Sequence, residues 1–201
     1  MVLIGAYMRI FQEERLRTRI KLATDTIHED LNQWSLVTTL MAGTATQATY
    51  AQFLTTTAKY RLACEEAIEP FAKEFNSVLQ VSRYFTGSLL LADLEEMNKP
   101  IGGSLIQADQ TSFDFNNKYQ ALGGLYVLAG SSNGNRMIMK SVFGNSPDRS
   151  WPRRYLSNST EPSAWRQFCD ALEKIATDQP HADDVVFGAK HTFEQVAKTV
   201  L

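Results

Sequence analysis

The chain is poor in the residues that usually anchor metals and disulfides. It has two cysteines, Cys64 and Cys169, and three histidines, His28, His181 and His191. It has no Cys-x-x-Cys pair and no His/Cys cluster, which argues against a structural zinc site. Both cysteines sit inside helical patterns. They read as buried thiols of a reducing compartment, so a cytoplasmic location is the expectation. Neither sign of charge dominates: 20 Lys and Arg against 22 Asp and Glu leave a formal −2. Such a chain has no global basic field to attract nucleic acid. No apolar run is long enough to cross a bilayer, so no membrane partner is expected. The opening Met1-Val-Leu-Ile-Gly-Ala-Tyr-Met8 is apolar but short and lacks a basic flank. It is not read as a signal peptide, and residues 1–10 read as a loosely ordered extension. Strand alternation, internal repeats and low-complexity tracts are also missing, as are flavin and dinucleotide fingerprints.

What is present is helical periodicity. Leu16, Ile20, Ala23, Ile27 and Leu31 recur every three or four residues through a first helix. A short helix over Leu36 to Met41 follows, ending near Gly43. Tyr50 to Phe75 forms a long apolar-faced segment, and Pro70 inside it predicts a break or kink. Ser82 to Met97 reads as another helix, stopped by Pro100. Residues 98–115, with Gly102-Gly103, read as a loop. A helix spans about Asn117 to Val142, and Gly144 to Pro152 forms a second loop. Thr160-Glu-Pro162 opens a helix through Trp165, Phe168, Cys169, Leu172 and Ile175. Pro180 opens the last one, spaced by Val186, Ala189, Phe193, Val196 and Val200. The expected fold is all-α, one domain over residues 1–201, with seven or eight helices around one core.

One of these helices contains an energetic oddity. The run Gly123-Gly-Leu-Tyr-Val-Leu-Ala-Gly130-Ser-Ser-Asn-Gly134-Asn-Arg136 carries four glycines, each costing roughly 1 kcal/mol against alanine. At about 100° per residue, Gly123, Val127, Gly130 and Gly134 fall in a stripe roughly 60° wide. A face stripped to backbone admits something flat, or simply lets two helices pack closely. A phosphate loop is unsupported, because no strand precedes the glycines and no Gly-Lys-Ser/Thr follows.

The first helix offers a possible counterpart. His28 lies in the middle of it, within Thr24-Asp-Thr-Ile-His28-Glu-Asp-Leu31. Taken alone it reads as a surface or half-buried histidine. As a site residue it is a candidate axial ligand to a porphyrin iron, which needs one protein nitrogen. Lys21 lies seven residues earlier, on nearly the same face and roughly 10 Å along the axis. Arg17 lies one turn further back. Both suit a ligand carboxylate, and both equally suit a solvated face.

Taken together, these segments resemble the bacterial, biliverdin-producing heme oxygenases. Leu16-Arg-Thr-Arg-Ile-Lys-Leu-Ala-Thr-Asp-Thr-Ile-His28 is similar to that family's proximal helix. Gly124-Leu-Tyr-Val-Leu-Ala-Gly130-Ser131-Ser-Asn-Gly134 resembles its glycine-rich distal helix. Gly188-Ala-Lys-His-Thr-Phe193-Glu is similar to its last-helix motif. Order and spacing agree from about Leu16 onward. The resemblance implies a heme oxygenase-like multi-helical fold and cleavage of heme to biliverdin, CO and ferrous iron. It implies O₂ and electrons from an external reductant, such as a ferredoxin, a flavodoxin or a reductase, and a bilin-accepting protein downstream. It makes His28 the axial iron ligand and puts Gly130, Ser131 and Gly134 over the reacting face. Tyr126, Val127, Asn133 and Phe193 join the heme-contacting set. Lys21, Arg17, Lys140, Arg136 and Lys190 are propionate candidates. The chain departs from the family pattern at Ala129, where bacterial members often carry an acid; the angular count turns position 129 away from the glycine face. Ser131 stands where some members place an aspartate, and Asn133 and Asn135 add polarity.

Three other readings compete. A heme-sequestering protein of the same fold would keep His28 and the glycines without turnover. A thiamin-degrading relative would need a cysteine nucleophile near carboxylates, as Cys64 has in Glu65 and Glu66 and Cys169 has in Asp170. A helical interaction module would use the glycines for packing alone.

Overall fold

The computed structural model describes residues 15–97, 112–144, 146, 148–158 and 162–201. The expected N-terminal extension, most of the 98–115 loop and Thr160-Glu161 lie outside them. Among the described residues there are eight α-helices and no strand, so the fold is all-α and multi-helical.

The first helix, α1 (Leu16–Asn32), is held at its start from outside. The Glu173 carboxylate accepts the Leu16 and Arg17 N–H groups at 3.1 and 3.2 Å, meeting the positive end of the helix with negative charge. Leu16, Ile20 and Thr24 are buried. Further along the stripe, Ala23 is exposed and Ile27 and Leu31 only half-buried. The apolar face of α1 is therefore covered at one end and open at the other. Helix α2 (Ser35–Met41) ends in a turn at Gly43, whose φ of 72° favours glycine.

The long α3 (Gln47–Phe75) starts on Thr46, whose hydroxyl accepts the Thr49 N–H at 3.1 Å. It runs through Pro70 without the expected break. Pro70 is exposed, so only one helix bond is forfeited, while Ile68, Ala72 and Phe75 around it stay packed in the core. The expected Ser82–Met97 helix is in fact two pieces. A 3₁₀ turn at Val81–Tyr84 precedes α4 (Gly87–Glu96). The cause lies on α3: Glu65 accepts the Thr86 and Gly87 N–H groups at 2.7 and 3.0 Å and begins a new helix there.

Helix α5 (Lys118–Met139) is capped by Asn117, whose Oδ1 accepts from Tyr119 and Gln120 at 2.9 and 3.0 Å. It passes into a π-type turn at Lys140–Gly144. A four-residue helix, α6 (Arg154–Ser157), lies just beyond the expected second loop. It is capped from α4 by the fully buried Asp93, which accepts the Arg154 and Tyr155 N–H groups. Helices α7 (Pro162–Ile175) and α8 (Gln179–Val200) follow, the latter capped by Asp178.

Among the described residues the buried hydrophobics form two clusters rather than one. The first joins α1, α5, α7 and α8 through Ile20, Leu122, Leu125, Phe168 and Val185. The second joins α2, α4 and α6 through Leu40, Leu90, Leu94 and Leu156. Helices α3 and α5 contribute to both, with Cys64 and Leu125 in one and Leu54 and Ile138 in the other.

Among the described helices, α5 and α8 share the most extensive contact. A Cβ at Gly123 would overlap the Val185 carbonyl oxygen and the Ala189 nitrogen, and one at Gly188 would overlap the Gln120 backbone. Here the helices meet backbone to backbone. Gly124 faces the Phe115 ring and Thr192. The first half of the glycine run thus serves helix packing, which corrects the expectation of one continuous bare face for a ligand.

Candidate functional site

Where α1 loses its cover, a slot opens between α1 and α5. His28, Leu31 and Asn32 line one side. Val127, Leu128, Ser131, Gly134, Asn135 and Ile138 line the other, spaced so that all share one helical face. Phe193, Val196 and Val200 of α8 and Phe53 and Tyr60 of α3 complete it. The slot is open on one side, with a volume of about 180 Å³.

His28 is exposed on the slot side of α1. Its ring meets Phe193 edge-on, with centroids 5.8 Å apart and planes at 86°. Nδ1 lies 3.5 Å from Asn32 Nδ2, a long contact. Among the described residues nothing pairs with Nε2. Opposite, a Cβ at Gly134 would meet nothing within 4 Å. Gly134 therefore borders open space, unlike Gly123 and Gly188.

The slot's inner corner is polar. Arg61, only 3% exposed, reaches it from α3. Its Nε donates to Glu65 at 3.0 Å, Nη1 to Ser131 Oγ at 3.1 Å and Nη2 to the Tyr84 carbonyl at 2.7 Å. Ser131 in turn donates to the Leu128 carbonyl at 2.8 Å. Burial pushes the Glu65 carboxyl up, against the pull of the Arg61 guanidinium and of the two backbone N–H groups it accepts. Burial likewise raises the Tyr60 phenol well above its ordinary value, so it stays protonated.

A second, wider cleft of about 1210 Å³ lies beside the N-terminal half of α1, between α5 and α7. It gathers Arg15, Arg17, Lys21, Arg136, Arg166 and Lys174 against Asp170 and Glu173, and is strongly basic. Arg17 lies over the Trp165 ring, 5.9 Å from its centroid. Arg136 is hydrogen-bonded to Asn133.

The residues anticipated as a site therefore divide between two places. His28, Val127, Ser131, Gly134 and Phe193 share the slot. Lys21, Arg17, Tyr126, Asn133 and Arg136 share the basic cleft. Tyr126 does not reach the slot; its ring packs on Trp165 at 5.1 Å. Gly130 does not line the slot; a Cβ there would approach the Trp165 ring at 3.4 Å. Lys140 is exposed and lies outside both cavities. So does Lys190, which faces Glu194 at 3.8 Å. Ala129 lies away from the slot, as its angle requires.

The cysteines offer no nucleophile. Cys64 is wholly buried and its thiol is pushed far up by burial. Cys169 is 7% exposed, and burial raises it to about 11. Thiolate is scarce in both at neutral pH. Among the described residues no group of three or more His, Cys, Asp or Glu is placed to hold a bare metal ion. A comparison with protein-family models finds no match, and a search of curated proteins finds no relative.

Sequence reasoning missed Tyr60 and Arg61, and weighed Glu65 only as a carboxylate beside Cys64. One signal was visible: Arg61 occupies the buried register of Leu54, Ala58, Cys64 and Ile68, with an acid four residues on. A charge at a core position announces a buried pair.

Proposed function

We propose that this protein binds heme in the slot between α1 and α5, with His28 as the axial ligand, and cleaves it oxidatively to biliverdin, CO and ferrous iron. The observation that carries the reading is the slot itself. An imidazole with an unpartnered Nε2 lies on one side, and a glycine bordering open space lies on the other. A floor of Phe53, Phe193 and Val196 suits the faces of a flat apolar ring, and an imidazole nitrogen suits its iron. Cleavage rather than binding rests on the resemblance to heme oxygenases.

The slot's 180 Å³ is below the roughly 300–1,000 Å³ of ordinary ligand pockets. The reading therefore requires part of the macrocycle's rim to stay outside, toward the basic cleft. Lys21 and Arg17 are the cations there that suit propionates. Lys21 follows the spacing argued from sequence, and Arg17 is steadied by Trp165.

Bound heme supplies both the iron that activates O₂ and the carbon skeleton that is oxidised. His28 would hold it from the α1 side, with Phe193 fixing the ring edge-on. Gly134 would leave space free on the α5 side of the slot. Ser131 has its hydroxyl fixed by Leu128 and Arg61, and presents a polar atom at that surface. Its hydroxyl and water ordered beside it are the groups that would hold a proton there. Tyr60 stays neutral and acts only as a donor or an apolar wall. Electrons must arrive from outside, and the basic cleft is the surface complementary to an acidic donor.

The test is a hemin titration of the wild type and of His28→Ala, followed by ascorbate or a reductase. Expected are one equivalent bound, a histidine–water spectrum lost in the variant, and biliverdin on reduction. An unchanged spectrum in His28→Ala overturns the ligand assignment. A stable Soret band without product overturns turnover and favours sequestration. Failure to bind hemin leaves the slot a packing defect of a helical interaction module.

A further inference from the structure

The wide cleft beside the N-terminal half of α1 carries more positive charge than two heme propionates would use. Arg15, Arg17, Lys21, Arg136, Arg166 and Lys174 line it, against two acids, Asp170 and Glu173. The chain as a whole is formally −2, so this concentration of cations is local. The cleft shares no lining residue with the slot.

Most of these charges are unmet. Both Glu173 oxygens are committed to the Leu16 and Arg17 N–H groups that start α1. Among the described residues, the side chains of Arg15, Lys21, Arg166 and Lys174 have no hydrogen-bond or ion-pair partner. Two guanidiniums are already placed: Arg17 lies over the Trp165 ring, and Arg136 is held by Asn133. The Arg17 charge reaches the Cys169 thiol and the Tyr126 phenol, pulling both down against the burial that raises them. Like charges gathered in this way repel one another until an anion joins them.

Six cations against two carboxylates leave four positive charges. Heme propionates on Lys21 and Arg17 would meet two of them, and two would remain. We propose that the cations left over, with Arg136 on α5 and Arg166 and Lys174 on α7, bind a phosphate monoester that carries an aromatic group. A phosphate monoester brings a charge of about −1.5 to −2 at neutral pH and three strong acceptor oxygens. Arginine forks take such oxygens in pairs, and a lysine serves as a point charge. The cleft, at about 1210 Å³, is far larger than a phosphate alone would fill. Half-buried Tyr126 and Trp165 give it a flat wall for the organic part. The count of two remaining charges rests on the heme reading; the unmet cations do not.

The test uses the full chain, ¹⁵N-labelled and free of heme, titrated with phenyl phosphate at constant ionic strength. Saturable shifts are expected at the Thr18 and Arg166 amides and the Trp165 indole. Phenyl sulfate has the same shape and one charge, and inorganic phosphate lacks the ring; each should bind about tenfold more weakly. Arg166→Gln/Lys174→Gln, at exposed positions, should weaken phenyl phosphate by about tenfold and leave the hemin titration unchanged. The hemin-loaded protein should still take up phenyl phosphate. No saturation, or full affinity in the paired variant, overturns the proposal. Phenyl sulfate binding as tightly overturns the double charge. Inorganic phosphate binding as tightly overturns the organic part and assigns the site to free phosphate. Displacement of phenyl phosphate by hemin overturns a separate site. A chain that takes phenyl phosphate but no hemin upholds this proposal and overturns the heme reading alone.

Discussion

Arg61 is a charged side chain at a core position, and its neighbours explain why it is tolerated. Four of its donors are satisfied, and its charge is met by Glu65 at 3.0 Å. Glu65 also begins α4, so one ion pair ties α3, α5 and the 81–87 segment together. Removing one partner strands the other in low dielectric. Arg61→Met should therefore cost about 3–5 kcal/mol of stability in urea unfolding. Adding Glu65→Gln should restore part of it by removing the stranded charge. A single variant within about 0.5 kcal/mol of wild type, the scale of an ordinary surface change, would deny the pair this role. Sequence exposes half of this arrangement. The i, i+4 pair on a buried face is readable, but the Tyr84 and Ser131 partners lie 23 and 70 residues away. No local pattern reports a contact at that separation.

At the scale of the element, the glycine run of α5 divides by function. Gly123 pairs with Gly188 of α8 where the two backbones meet, and Gly134 borders the slot. The same substitution should act oppositely at the two ends. Gly188→Ala or Gly123→Ala forces α5 and α8 apart, and overpacking of this kind costs typically about 1–3 kcal/mol. Gly134→Ala meets no neighbour and gains helix propensity, so the heme-free protein should become more stable by up to about 1 kcal/mol. Its affinity for hemin should fall, because the added methyl enters the slot. Thermal unfolding and hemin titration of the same variants check both halves. A Gly134→Ala protein that loses stability would show a neighbour that the open space denies. The sequence showed that one face of α5 is bare. It could not say which glycines face a helix and which a void, because both give the same periodicity.

The whole molecule keeps both thiols neutral by burying them, and this couples folding to alkaline pH. A thiol with a higher pKa in the folded chain holds its proton longer there. As pH rises past the unfolded value, the unfolded chain binds fewer protons, and stability falls. For Cys169 this window runs from 9.0 to about 11, and Cys64 extends it upward. Urea unfolding should therefore show a steady loss above pH 9. The loss between pH 9 and 10 should be smaller in Cys64→Ala/Cys169→Ala, whatever that variant's stability at pH 7. An equal slope would assign the loss to other groups, such as the buried phenols of Tyr50 and Tyr60. At this scale the sequence by itself determined that the fold is helical, where most helices begin, and which residues carry the apolar stripes. These follow from local periodicity and capping. Only the tertiary structure decided that Ser82–Met97 breaks at Thr86 and that the core is double. It also decided that the anticipated site residues divide between a slot and a basic cleft. Those outcomes depend on which distant side chain reaches a given backbone N–H or a given face of α5. Of the four glycines on one helix, Gly123, Gly124 and Gly130 face neighbours and only Gly134 faces open space. Only the placement of α7 and α8 against α5 decides which is which.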